Sequence, residues 1–199
     1  MNIAVIVGSL RRGSLNMKLA LALESLAPSP MTVRFVPIGD LPLYNDDLWA
    51  DPPVSIVRFK SAIAAADAVL FVGPEYNRSI SPAIKNAIDW GSRPKGSSIW
   101  EGKPAAVAGA SPGNIGTSVG QAHLKYVALT VGMAVLALPE VYLSLRDDDF
   151  DSSGGIENEA TKGFLSGFLN SFSLWIERLA PDPLNSDYDG LGRSRSQVR

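Results

Sequence analysis

The sequence predicts an α/β fold, a five-stranded parallel doubly wound sheet with its strands in the order 2-1-3-4-5. Three observations predict it. Five short apolar runs alternate with five helical patterns along the 199 residues, as parallel strands joined by crossover helices do. The runs are apolar at consecutive positions rather than alternate ones, which marks strands buried on both faces. No internal repeat or second core pattern interrupts residues 1–180, so these read as one domain and 181–199 as a C-terminal tail. The 2-1-3-4-5 order is the common one for five such strands.

The first strand is read at 2–8, where Ile3 to Val7 are all apolar. A helix follows over 15–26 (LNMKLALALESL), stopped by Pro28 and Pro30. Residues 31–38 alternate well enough for a second strand, and a long loop, GDLPLYNDDLWADPP, fills 39–53. A helix at 54–66 spaces Ile56, Val57, Phe59 and Ile63 for one packed face, with Lys60 snorkelling from it. The third strand is 68–73 (AVLFVG). Ser81-Pro82 opens the next helix, about 82–92, since serine suits the N-cap and proline the first helical position. A small-residue strand at 104–110, a helix at 117–131 and a fifth strand at 133–138 (MAVLAL) come next. The last helix, 156–179, carries Phe164, Leu165, Phe168, Leu169, Phe172 and Trp175 along one side. The tail is rich in Pro, Gly, Ser and Arg and has no apolar period.

Composition removes several kinds of chemistry. There are no cysteines, so disulfides and thiolate catalysis are out, and the single histidine, His123, is too few for a His-based zinc site. No G-x-S-x-G elbow is present. No metal site is expected. Asp147, Asp148, Asp149 and Asp151 lack the Gly and Glu positions of a calcium loop and read as a solvated turn. Eighteen basic against twenty acidic residues give a net charge of −2, with no general pull toward nucleic acid or anionic lipid. No apolar run is long enough to span a bilayer and no basic stretch precedes the first one, so a cytoplasmic protein is expected.

The chemistry gathers in three loops. In the predicted sheet the loops after strands 1, 3 and 4 lie side by side at the carboxyl edge, where ligands bind. The first, Ser9-Leu10-Arg11-Arg12-Gly13-Ser14-Leu15-Asn16, offers hydroxyls, an amide, a guanidinium and a helix N-terminus, a set suited to a phosphate dianion. Gly8 and Gly13 have the spacing of a nucleoside-triphosphate loop, but Ser14 stands where its lysine would be. The second, Pro74-Glu75-Tyr76-Asn77-Arg78-Ser79, sets an acid, a flat aromatic ring and an amide beside it. In the third, Ser111-Pro112-Gly113 to Gly116, the glycines let backbone N–H groups face a ligand. A phosphate site beside a flat-ring site describes a phosphorylated planar heterocycle, and flavin mononucleotide (FMN) fits that description.

G-S-L-R-x-x-S-x-N at 8–16, P-E-Y-N-x-S at 74–79, K-N-A-I-D-W at 85–90 and S-P-G-x-x-G at 111–116 resemble the NAD(P)H-dependent FMN reductases. G-D-L-P-L-Y-N-D-D at 39–47 is similar to a segment of the bacterial quinone and chromate reductases among them. The resemblance covers about residues 2–180. It implies a flavodoxin-like fold and non-covalent FMN. It also implies hydride transfer from NADPH or NADH through flavin N5 to quinones, azo compounds, metal oxyanions such as chromate, or free flavin. By the same resemblance Ser9, Arg11, Ser14 and Asn16 hold the phosphate, Pro74 to Ser79 line the ring, and the Ser111 loop borders the ring or ribityl chain. It implies a homodimer or homotetramer with the flavin near a subunit interface and the acidic loop 40–47 reaching toward the neighbouring site. No catalytic side chain is named, because the chemistry belongs to the cofactor.

Two features depart from the family pattern. Ser81 stands where an apolar residue or glycine is expected, which would alter the face open to substrate, and the tail runs past the usual end. His123 reads as a surface or interface residue. Trp49, Trp90, Trp100 and Trp175 read as packing residues, with Trp90 and Trp100 available to a subunit contact. An electron-carrier flavodoxin, binding FMN without nicotinamide turnover, is the alternative. A cofactor-free receiver-type domain is a third reading, disfavoured because Ser9-Leu10-Arg11 stand where it would place acids.

Overall fold

A computed structural model describes residues 1–180. The predicted tail, 181–199, lies outside the described residues. Among the described residues six strands are observed: β1 (Asn2–Val7), β2 (Thr32–Phe35), β3 (Ala68–Val72), β4 (Pro104–Ser111), β5 (Ala134–Val135) and β6 (Val141–Ser144). Five helices accompany them: α1 (Leu15–Ser25), α2 (Val54–Ala64), α3 (Pro82–Gly91), α4 (Ser118–Thr130) and α5 (Glu159–Leu179). Every strand pair is parallel, and the order is β2-β1-β3-β4-β5, as the sequence predicts. Val5 stands beside Phe35, and Val7 beside Val72.

The fifth position differs from the prediction. The expected strand 133–138 is only two residues long, pairing Pro104 and Ala105 with Ala134 and Val135. The chain then leaves β4 and returns as β6, which pairs Ala108 through Ser111 with Val141 through Ser144. Pro139 lies in the gap and brings no N–H for a ladder bond. One strand position is therefore filled in two pieces, and the second piece lies beside the carboxyl half of β4.

Two cores result, one on each face of the sheet. α1 and α5 cover one with Leu19, Leu23, Leu165, Phe168, Leu169 and Phe172. α2, α3 and α4 cover the other with Ile56, Phe59, Ile63, Ile84, Ile88 and Leu124. The buried stripe of α5 uses Ile176 where the prediction had Phe164, which is partly exposed, and the helix starts at Glu159 because Ile156 pairs with Phe150 in a bridge. Val57 is likewise exposed, one step off the packed face of α2. Lys60 is half-buried and folds back onto the chain. Its ammonium donates to the carbonyls of Arg93 and Ser97 and lies 5.3 Å from the Trp49 ring, and burial lowers its pKa.

Trp90 and Trp100 are completely buried inside the chain, so neither is available to a subunit contact. The Trp100 indole N–H donates to Ile88, and that of Trp90 donates to Pro42 at 2.8 Å. Asn86 completes the clamp, donating to Pro42 and accepting from the Tyr44 N–H. Loop 40–47 is thereby folded onto α3 of its own chain. No described helix is long and apolar enough to cross a membrane.

Candidate functional site

β1, β3 and β4 are neighbours in the sheet, so the three predicted loops meet at its carboxyl edge. The loop after β1 is short of acceptors. Among the described residues, no backbone N–H from Ser9 through Asn16 has a protein acceptor. The next N–H groups are satisfied: Met17 donates to Ser14 Oγ at 3.1 Å and Lys18 to the Ser14 carbonyl. Ser14 is therefore the N-cap of α1, is 3 % exposed, and keeps its hydroxyl proton for another acceptor. Arg11 bends back to donate to the Gly13 carbonyl, while Arg12 stands exposed with no hydrogen bond or ion pair among the described residues. A run of unpaired N–H groups at a helix start, with a buried hydroxyl and the Arg11 guanidinium, is a nest for an anion.

The Asn16 side chain is engaged within the chain. It is buried and makes a two-point bond with the Ala110 peptide, donating to its carbonyl and accepting from its N–H, each at 3.0 Å. It braces α1 against β4 just before the third loop. Ser81 departs from expectation. It precedes α3 without a side-chain cap bond, is 1 % exposed, and donates to the Gly8 carbonyl at 2.6 Å. It fastens the second loop to the first and does not face substrate.

The second loop is a miniature hairpin. Tyr76 and Ser79 exchange backbone hydrogen bonds at 3.0 Å around Asn77 and Arg78, both at positive φ. Such a pair of φ values makes a tight I′ turn; asparagine adopts it readily and arginine does so at a cost. Tyr76 and Asn77 stand exposed at the tip, with Pro74 half-buried below. Glu75 points inward: its carboxylate accepts from the Gly120 N–H at 2.9 Å and from Arg78 at 3.1 Å. Gly120 lies in the first turn of α4, whose N-cap residue Thr117 offers no capping bond. Glu75 supplies that cap from another loop. Burial pushes its pKa up, but the Gly120 N–H and the Arg78 guanidinium outweigh it, and the carboxyl is held below its usual range.

In the third loop Ser111 donates to the Gly116 carbonyl at 2.7 Å and accepts from the Gly113 N–H, closing a tight turn. Gly116 is at φ +58°, and a Cβ there would come within 2.8 Å of the Tyr142 backbone of β6. Pro112, Gly113 and Asn114 are exposed at the tip, and the N–H of Asn114 has no acceptor among the described residues. His123 is exposed and within 3.3 Å of Ser79 Oγ. The acidic segment packs beside this edge: Asp147 pairs with Lys18 at 2.6 Å, and Asp151 accepts from Ser153 and Gly155. No cluster of potential metal ligands occurs among the described residues.

A carboxyl whose folded pKa is depressed stabilises the fold above its ordinary value and loses that effect as pH falls through the lowered one. Glu75 is such a group, with an ordinary value of 4.5. Glu75→Gln is expected to unfold about 1 kcal/mol more easily at neutral pH, the usual worth of a helix cap. The gap from wild type should close as pH drops below that ordinary value, and urea titrations at several pH values measure it. A gap constant with pH would mean that the carboxylate charge contributes nothing.

Comparison with known proteins agrees with this edge. The model of the NADPH-dependent FMN reductase family matches residues 1–147. The chain is 46 % identical over 176 residues to the 2-hydroxy-1,4-benzoquinone reductase of a Burkholderia species, covering 88 % of this chain and 96 % of the relative. It is 46 % identical to a quinone reductase of Pseudomonas putida, over 88 % of this chain and 95 % of that one. The solved structure of FerB, a flavoenzyme NAD(P)H:(acceptor) oxidoreductase from Paracoccus denitrificans, superimposes with a TM-score of 0.86 at 49 % identity, covering 89 % of this chain and 97 % of FerB. With its parallel flavodoxin-like sheet, its three meeting loops and these relatives, the chain belongs to the NADPH-dependent FMN reductase family.

Proposed function

We propose that this chain is an FMN-dependent NAD(P)H oxidoreductase whose acceptor is a small molecule of the quinone type. The observation that carries the reading is the acceptor-less run of N–H groups from Ser9 through Asn16 at the start of α1. That donor set fits the phosphate of FMN, and the buried Ser14 hydroxyl, whose proton has no acceptor in the described chain, fits it further. When bound, FMN supplies the redox chemistry, taking hydride from NADPH or NADH and delivering it to quinones, azo compounds, chromate or free flavin.

The side chains Ser9, Arg11 and Ser14 hold the phosphate, with the backbone of Leu10, Arg12, Gly13 and Leu15. Asn16 serves by fixing that loop to β4. Pro74, Tyr76, Asn77 and the 78–79 backbone line the ring, while Glu75 positions that hairpin from behind. Ser111, Pro112, Gly113 and Gly116 form the far border, where backbone N–H groups stabilise negative charge on a ring edge. None of these side chains is asked to move a proton. Residues 1–180 act as one cofactor-binding domain, with 181–199 a tail beyond it.

We further propose a homodimer or homotetramer assembled through α4. Its outward face leaves Tyr126 and Leu129 exposed, with Leu138 beside them, and such a patch favours self-association. A cytoplasmic location follows from the donor, since reduced nicotinamides are intracellular metabolites. A visible spectrum of purified protein, before and after anaerobic NADPH, tests the reductase reading. A flavin band that bleaches is expected. A band that persists would favour an electron carrier, and no band after added FMN would defeat the cofactor assignment.

A further inference from the structure

Beside the phosphate loop, on its far side from β3, lies a cleft of about 330 Å³. Val5, Val7, Phe35 and Pro37 form its sheet side, and Leu10 and Met17 its outer side. Leu10 is 62 % exposed, an unusual outlay of apolar surface for a residue in a polar loop. The size falls within the range of small-ligand sites, roughly 300–1,000 Å³. Ser9, Arg11 and Arg12 complete the lining, so the loop that holds the flavin phosphate is also one wall of the cleft.

We propose that this cleft takes the 2′-phosphoadenosine end of NADPH, with Arg12 holding the 2′-phosphate; the proposal rests on the reductase reading above. The apolar walls suit the faces of a purine. The rim is cationic, and its two arginines are differently disposed: Arg11 is turned onto the Gly13 carbonyl, whereas Arg12 is exposed with no hydrogen bond or ion pair to the described residues. A free ribose 2′-hydroxyl is recognised by a carboxylate, a 2′-phosphate by arginine. No carboxylate lines the cleft. The two nearby ones are engaged elsewhere, Asp40 by both Arg58 nitrogens and Asp147 by Lys18. The lining therefore selects the phosphorylated donor. A cavity at the opposite edge of the sheet is larger, but it is lined by Asp67 and Glu101 and lies away from all three loops.

Calorimetry on the FMN-loaded protein with adenosine 2′,5′-bisphosphate and with 5′-AMP tests this without turnover. The bisphosphate is expected to bind at least about tenfold tighter, the worth of one charge-assisted phosphate contact, and to compete with NADPH. Arg12→Ala should lower the ratio of kcat/KM for NADPH over NADH by about tenfold, with both rates taken per bound flavin. Met17→Glu, which puts a negative charge on the cleft wall, should weaken bisphosphate binding as well. Equal affinity for the two nucleotides, or an unchanged donor ratio in Arg12→Ala, would overturn the assignment. So would loss of FMN from that variant, which would put Arg12 on the flavin phosphate instead. The two readings fail separately. Turnover with no bisphosphate binding would remove the cleft and keep the reductase; tight, Arg12-dependent binding with no bleaching by either donor would do the reverse.

Discussion

Asn16→Ala is expected to lower the unfolding free energy by about 2–4 kcal/mol and to strip the protein of FMN. The variant removes both bonds to the Ala110 peptide and leaves that peptide's N–H and carbonyl buried without partners. Each such orphan costs about 1–3 kcal/mol, more than the bond itself contributes in net. The functional loss follows from position. Ala110 is the next-to-last residue of β4, one step before Ser111 and the third loop, and α1 begins one residue after Ser14. Cutting the brace frees the phosphate loop and the ring border from each other. Asn16→Asp is the informative control, since it still accepts from the Ala110 N–H but sets a carboxylate against the carbonyl. It should not rescue. Denaturant titration and flavin stoichiometry measure both effects, and wild-type flavin content in Asn16→Ala would sink the idea that this brace serves the site.

Gly109→Ala is expected to destabilise by about 3 kcal/mol or to prevent folding, again with loss of flavin. A Cβ there would lie 2.3 Å from Thr117 Oγ1 and 2.4 Å from the Gly73 carbonyl. A hydroxyl on a side chain can rotate away; a carbonyl cannot. Gly73 opens the second loop, and its N–H bonds to the Ala108 carbonyl at 3.0 Å, so moving it parts β3 from β4 at the edge where the loops meet. Gly13→Ala makes the contrast, because a Cβ there meets nothing within 4 Å. That variant should keep its stability, so thermal melts of the pair separate crowding from a general intolerance of change.

The sheet order was legible because β3 at every position, and β1 at every position after Asn2, is apolar and buried. β6 was not. Val141-Tyr142-Leu143-Ser144 is short, only half-buried, and follows Pro139-Glu140, which reads as a turn. The three loops were legible as chemistry, since serine, glycine and arginine at strand ends suit few other tasks. Their internal wiring was not. Asn16 and Ala110 are 94 residues apart, and nothing local distinguishes a ligand-facing amide from a bracing one. Ser81 looks like an ordinary cap in sequence, yet its hydroxyl is taken by Gly8, 73 residues away. Arg78 at positive φ was invisible for a related reason, as arginine carries no local preference for that conformation. Trp90 and Trp100 were open to an interface role until their indole N–H groups found carbonyls within the same chain.

Asn16–Ala110, Ser81–Gly8 and Glu75–Gly120 have a joint consequence for how the cofactor is kept. Each ties one rim of the site to another through a buried or nearly buried bond. A loop that must be ordered by its ligand subtracts that ordering from the affinity. Here the polypeptide's own bonds order the rims, so little of that ordering is left for flavin to supply. Binding energy not used up in ordering loops lengthens the residence of a ligand. An enzyme that turns over many donors and acceptors on one flavin needs that permanence: the substrates come and go while the cofactor stays.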